Sequence, residues 1–174
     1  MTDMISSNRD VAVKQSLKNK SCLAFFAMIS SCCHAATNTT TFNVTATVAA
    51  NCSISANTLA FGAYNPLSAP TDSTTDITIT CTNGSGYNVG LNAGTTAGGT
   101  VTNRLMANGA NTLGYGLYQN SGRTINWGDT IGTDTVSGTG NGGAQTLTVY
   151  GRIPSAQYVP PGSYSDTITI TATF

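Results

Sequence analysis

Tyr164-Ser165-Asp166-Thr167-Ile168-Thr169-Ile170-Thr171-Ala172-Thr173-Phe174 is the most regular stretch of the sequence. Tyr164, Ile168, Ile170, Ala172 and Phe174 share one parity, and four threonines occupy the other. A period of two with β-branched residues on both faces is the pattern of a half-buried strand. Pro160-Pro161-Gly162 marks a turn just before it. The same alternation recurs towards the N-terminus. Leu147, Val149 and Gly151 share a face within 145–152, and Leu113–Tyr118 is apolar but interrupted by Gly114 and Gly116. Glycine at such positions predicts a bulge or a close backbone approach. Tyr87, Val89 and Leu91 alternate, as do Ile77, Ile79 and Cys81 within 75–82. Leu59 and Phe61 predict a short strand before Gly62. Cys52-Ser53-Ile54 predicts another, and Phe42, Val44, Ala46 and Val48 predict a strand over 41–48. Residues 94–100 and 134–143 are glycine-rich and are expected to be loops. No segment after residue 36 has helical periodicity over three turns. Seven or so strands at turn-marked spacing predict one all-β domain, a β-sandwich, with no repeat and no second domain.

Charge is unevenly placed. Arg9, Lys14, Lys18 and Lys20 precede residue 21, and from Ala36 onward only Arg104, Arg123 and Arg152 face Asp72, Asp76, Asp129, Asp134 and Asp166. That part of the chain has no Lys, Glu or His. Three scattered arginines give no phosphate-binding patch, so no nucleic-acid partner is expected. Residues 1–35 read as a removed signal peptide. Lysines precede the apolar run 22–29, and small residues lead to cleavage after Ala35 or Ala36. The long basic region leaves Met4 or a later residue as a second candidate start. The apolar run is too short for a membrane span. Ile29-Ser30-Ser31-Cys32 offers a competing reading as a lipobox, with Cys32 lipidated. The chain is expected to be exported through the periplasm to the cell surface or secreted.

Five cysteines are encoded, and Cys22, Cys32 and Cys33 lie in the signal. Cys52 and Cys81 remain, and an even pair in an exported chain implies one disulfide. A zinc site would need two further ligands that the processed chain lacks. No metal site, no cofactor and no catalytic residue is predicted. Nucleophilic catalysis needs a base beside Ser or Cys, and none is present. The aspartates stand singly beside Thr or Gly, where such residues usually bond their own backbone in turns. Asp129 and Asp134 match no calcium-loop spacing. No Gly-Lys-Ser/Thr phosphate loop occurs. Trp127 could stack on a sugar, but a single Trp in a small sandwich is more often core. A Lys–Asn cross-link is excluded by the missing lysine.

Several stretches, in order, resemble the spore coat protein U domain, the family of archaic (Csu-type) chaperone–usher pilins. They are Val48-Ala49-Ala50-Asn51-Cys52-Ser53-Ile54, Leu59–Tyr64, Ile79-Thr80-Cys81, Leu117-Tyr118, Trp127-Gly128, Val149–Pro154 and Pro161–Ile168, with the strand to Phe174. The resemblance covers nearly all of 41–174. It implies an immunoglobulin-like β-sandwich that lacks its last strand. A periplasmic chaperone fills the gap first. An outer-membrane usher then replaces the chaperone with the N-terminal segment of another subunit, giving a head-to-tail polymer of like subunits. On that basis residues 36–51 are donor segment and pivot, and 52–174 the domain. Phe42, Val44, Ala46 and Val48 are the donor residues, and Ala49-Ala50-Asn51 is the pivot. The acceptor groove is expected between the strand of Cys52–Ile54 and the last strand, with Ile168, Ile170 and Phe174 as groove or chaperone contacts. A second reading makes 41–48 the domain's own first strand. The function expected is a structural pilus subunit supporting adhesion and biofilm formation. The alternative is a surface-binding adhesin, or a coat or matrix protein, with a self-complete sandwich.

Overall fold

The structure is a computed structural model, described here over residues 35–174. The signal peptide expected over 1–35, Ala35 apart, and the competing lipobox reading at Cys32 lie outside the described residues. The chain divides into two units, Met1–Val44 and Thr45–Phe174. Residues 35–51 form no strand, and Phe42, Val44 and Val48 are 85%, 83% and 83% exposed. The strand expected over 41–48 is therefore absent: an alternating segment becomes a strand only when another backbone pairs with it.

The unit Thr45–Phe174 is all-β. Its elements are β1 (Cys52–Ala56), β2 (Thr71–Cys81), β3 (Gly86–Leu91), β4 (Arg104–Asn108), β5 (Asn111–Tyr118), β6 (Val136–Thr139), β7 (Ala144–Ile153) and β8 (Ile170–Thr173). One sheet has the order β1-β2-β7-β5-β4, the other β6-β3-β8, and every pairing is antiparallel. This is an immunoglobulin-like β-sandwich. Ile77, Ile79 and Cys81 of β2 and Val149 and Ile153 of β7 meet Tyr87, Val89 and Leu91 of β3 in one buried core. The predicted parity holds through each of these strands.

Several elements depart from expectation. β4 was not anticipated, because Arg104-Leu105-Met106-Ala107-Asn108 does not alternate. β6 lies inside the glycine-rich 134–143 stretch, paired with β3 from Gly86↔Thr139 to Val89↔Val136. Leu59 and Phe61 lie in no strand. The backbone of the same stretch instead accepts side-chain hydroxyls of β2 at Ala60 and Asn57: Ser73 Oγ donates to Ala60 O (2.7 Å) and Thr75 Oγ1 to Asn57 O (3.0 Å). β5 keeps a continuous register with β4 and has no bulge, so Gly114 marks a close approach instead. Gln157 lies against the Gly114 peptide, accepting from its N–H (2.7 Å) and donating to its carbonyl (2.9 Å), as a neighbouring strand would. The final strand is shorter than its sequence pattern: only Ile170–Thr173 pairs with β3.

Two features lock the sandwich. Cys52 and Cys81 are direct partners across β1 and β2 and are joined by a disulfide, with S–S 2.01 Å. The bridge fixes an edge strand to its neighbour in the same sheet. Arg104 is fully buried. Its guanidinium donates to the carbonyls of Asn92 (2.8 Å), Val101 (2.7 Å), Leu91 (2.8 Å) and Trp127 (2.7 Å). Desolvation lowers the guanidinium's pKa, opposed by Tyr115 and by the carboxylates of Asp129, Asp134 and Asp166. Four carbonyls thus share one cation, and the connection carrying Trp127 is tied to β3 and β4. Trp127 is buried, and its indole N–H donates to Val89 O (2.8 Å), so it is a core residue rather than a sugar platform.

Arg104→Leu strands four carbonyls in the core. It should cost about 3 kcal/mol or more, since orphaned buried polar groups cost about 1–3 kcal/mol each. Urea unfolding measures this. Replacing both Cys52 and Cys81 with Ser should cost roughly 3.5 kcal/mol in the chain-entropy account, read as a lower unfolding midpoint under oxidising conditions.

Candidate functional site: an unfilled edge and its groove

The C-terminal run changes sheets. Ser165 exchanges backbone hydrogen bonds with Ala107 of β4 (2.9 and 3.1 Å), and Ile170 onward pairs with β3 of the other sheet. Residues 166–169 cross between them. Thr169 is held by Asn92, whose N–H donates to Thr169 O (3.1 Å) and whose Oδ1 accepts from Thr169 N (2.9 Å). On the other flank, β1 is the edge of its sheet. Among the described residues no strand pairs with the outer edge of β1 or of β8. An edge left bare beside an apolar interior is a template for another backbone.

A groove lies between these two flanks. Its first cavity, about 460 Å³, has walls formed by Ala56–Leu59 and Phe61 on one side and Tyr164–Ile168 and Ile170 on the other. Its floor is core: Ile77, Leu91, Leu117 and Val149. A second cavity of about 620 Å³ continues it past Gly62, Tyr64, Gln157 and the Val159–Tyr164 turn, sharing Leu59, Phe61, Met106 and Tyr164 with the first. Phe61 meets Tyr115 edge-on, with centroids 6.2 Å apart. Gly151 of β7 leaves room for this wall, because a Cβ there would stand 2.7 Å from Leu59 and 2.8 Å from Phe61.

One polar cluster is set in the groove wall. Asp166 accepts from Tyr115 Oη (2.7 Å) on one oxygen. On the other it accepts from the backbone and hydroxyl of Thr95 (2.9 and 3.1 Å) and of Thr96 (both 3.2 Å). Partial burial pushes this carboxyl up, but the bonds from Tyr115, Thr95 and the Thr167 backbone outweigh it and hold the pKa below the ordinary value. Burial and the Asp166 bond raise the Tyr115 hydroxyl. Asp166 is therefore not the self-bonded turn aspartate expected from sequence, whereas Asp134 is, accepting from Thr130 N (2.8 Å). Gly94 is required beside the cluster: its φ is +90°, and a Cβ would overlap the Asp166 carboxylate. Asp72 joins the other two arginines, in a bidentate pair with Arg152 (2.7 and 2.8 Å) and 3.2 Å from Arg123. The hydrogen bond from Arg152 holds its carboxyl low, against a small burial penalty.

The expected site residues are distributed as follows. Ile168 and Ile170 line the groove. Phe174 does not; it lies past β8 and is 54% exposed. Phe42, Val44, Ala46 and Val48 stand exposed and unpaired. Met106, Tyr115, Leu117 and Asp166 were not anticipated as groove residues, because they come from β4, β5 and the C-terminal run, segments far apart in sequence. Among the described residues no group of three or more His, Cys, Asp or Glu side chains is placed to hold a metal, and no helix is long and apolar enough to cross a membrane.

An all-β domain with bare strand edges flanking an apolar groove is the class that this geometry defines. Comparison with known proteins agrees on the fold and gives the family. The family description "Spore Coat Protein U domain" matches residues 38–171. Protein U of Myxococcus xanthus is 39% identical over 156 residues, covering 80% of this chain and 87% of that protein. The chain belongs to the Spore Coat Protein U domain family. In fold it is similar to a chain in the crystal structure of the CsuC–CsuE chaperone–tip adhesion subunit pre-assembly complex from the archaic chaperone–usher Csu pili of Acinetobacter baumannii. The TM-score is 0.54 at 24% identity, over 74% of this chain. This protein spans 41% of the length of that chain.

The lowered carboxyls of Asp166 and Asp72 set an acid limit. Their contribution is complete above the unfolded carboxyl value of about 4 and is lost as pH falls through the lower folded values. Stability should therefore be flat from neutral pH to about 5 and fall below about 4. Asp166→Asn should flatten that fall and lower stability at neutral pH, read by thermal melting across pH. Gly94→Ala should destabilise the protein at every pH.

Proposed function

We propose that this protein is a structural subunit of a chaperone–usher assembled surface pilus that polymerises by donor-strand exchange. The observation that carries the reading is the groove: an apolar interior reached between two flanks, with no strand over it among the described residues. The family match supports it, and so does the likeness to a chain solved with its chaperone. In this reading residues 36–51 are donor and pivot. The 42–48 stretch spans about 20 Å as a strand. Its side chains Phe42, Val44, Ala46 and Val48 enter the groove of another copy. Their burial contributes about 5–8 kcal/mol before ordering costs.

A periplasmic chaperone occupies the groove first, and an outer-membrane usher is the site of exchange. Ile168 and Ile170 form the wall that both occupants touch, and the exposed Phe174 is available to the chaperone. The role is structural and non-catalytic. The subunit is exported through the periplasm, and the fibre serves attachment of cells and biofilm formation.

The registers give the sense of the two flanks. β1 is antiparallel to β2, and passing through β7, β5 and β4 to Ser165 makes the C-terminal run antiparallel to β1. A donor parallel to β1 carries its own domain beyond the Tyr64 end of the groove and so builds an open head-to-tail chain. A donor in the opposite sense brings two Cys52 ends together and builds a closed pair.

Coexpression with the neighbouring chaperone in a periplasm tests this. The full chain should give SDS-resistant ladders after release. Deletion of 36–48, or Phe42→Asp with Val44→Asp, should retain chaperone binding and abolish the ladder. Ile168→Asp should lose both. A full chain that is a stable monomer without chaperone contradicts the reading and makes the sandwich self-complete.

A further inference from the structure

We infer that the two ends of the domain form a second contact between successive copies, with Leu67 and Tyr158 of one copy landing against the Phe174 end of the next. The inference rests on the donor reading and deepens it. The strand registers assign each loop within Thr45–Phe174 to an end. β1 starts beside the Cys81 end of β2, which also carries the 82–86 turn, the 139–144 loop and Phe174. The opposite end carries the 62–70 connection, the Asn108–Asn111 turn and the 154–163 connection. There Ala156 N donates to Pro66 O (3.0 Å), which brings the segments of Leu67 and Tyr158 together.

Three observations point to a second copy as the occupant. First, Leu67 is 81% and Tyr158 73% exposed at one end, and Phe174 is 54% exposed at the other. Other large exposed apolar side chains of the domain, Ile125 and Ile131, lie in the connection between β5 and β6. Second, the loops at the two ends carry no charged side chain, and the nearest ones at the Leu67 end, Asp72 and Arg152, are paired with each other near the ends of β2 and β7. Bringing these loops together therefore buries no unpaired charged side chain. Third, the link is short. A donor parallel to β1 leaves the groove at the Leu67 end, and only Ala49, Ala50 and Asn51 separate Val48 from Cys52. Four residue steps reach at most about 14 Å, so the Cys52 end of the donating domain must sit against those loops. The contact is heterologous, joining different faces, which suits a filament rather than a ring.

Cysteine pairs read this directly. Leu67→Cys with Phe174→Cys, and Tyr158→Cys with Phe174→Cys, should assemble the SDS-resistant ladder of the unmodified chain. After oxidation, boiling in SDS without reductant should leave the ladder intact in at least one pair, and reductant should collapse it to monomer. Each single variant should collapse on boiling even when oxidised. In a companion measurement, Leu67→Ser with Tyr158→Ser should leave the unboiled ladder unchanged and increase filament bending several-fold in electron micrographs. If both pairs form the unboiled ladder but collapse to monomer when oxidised and boiled, the end contact is wrong and the donor reading stands. If the unmodified chain forms no ladder, both fall together.

Discussion

The bare edge between β1 and the C-terminal run is the constraint on which the other features depend. The sandwich has a continuous core from Ile77 through Leu91 to Val149, yet among the described residues no strand covers the groove beside it. Burial of apolar area is the main favourable term in folding, so an open groove leaves part of that term unrealised. It also leaves backbone donors and acceptors facing solvent along an edge. In the proposed function both deficits are removed together when an extended apolar segment enters as an added strand.

The rest of the domain holds that edge in shape. The disulfide ties β1 to β2 at one end of the groove. Hydroxyls of Ser73 and Thr75 hold the stretch from Asn57 to Phe61 beside β2 without using its outer edge. Arg104 gathers carbonyls from three segments beneath the opposite wall, and Asp166 pins that wall to Tyr115 and Thr95. These are polar devices inside or beside an apolar core. Each is satisfied by several partners, the condition under which buried polar groups rigidify rather than destabilise.

Much of the fold was legible because its central strands bury one face, and alternation records that. β2, β3, β5 and β7 all follow their sequence pattern, and the cysteine pair needed only counting. β4 and β6 were hidden: Arg104 sits in a core position, and β6 is half glycine and serine. The opposite failure occurred at Leu59–Phe61 and at Tyr164–Thr169. Their patterns are those of strands, but a strand needs a ladder on at least one side, and these segments flank the gap. Ile168 and Ile170 were expected at a groove because the family resemblance puts one beside the last strand, and both line the cavity. Met106, Tyr115 and Asp166 were not, because nothing local in sequence brings β4, β5 and the C-terminal run to one wall.

Amide hydrogen exchange on the assembled fibre, compared with the chaperone-bound subunit, tests the central claim most directly. The account predicts that residues 42–48 are strongly protected in the fibre and that the amides of 166–169 slow with them, while 42–48 exchange freely in the chaperone complex. Free exchange of 42–48 in the fibre, beside a fully protected 52–174, would contradict it.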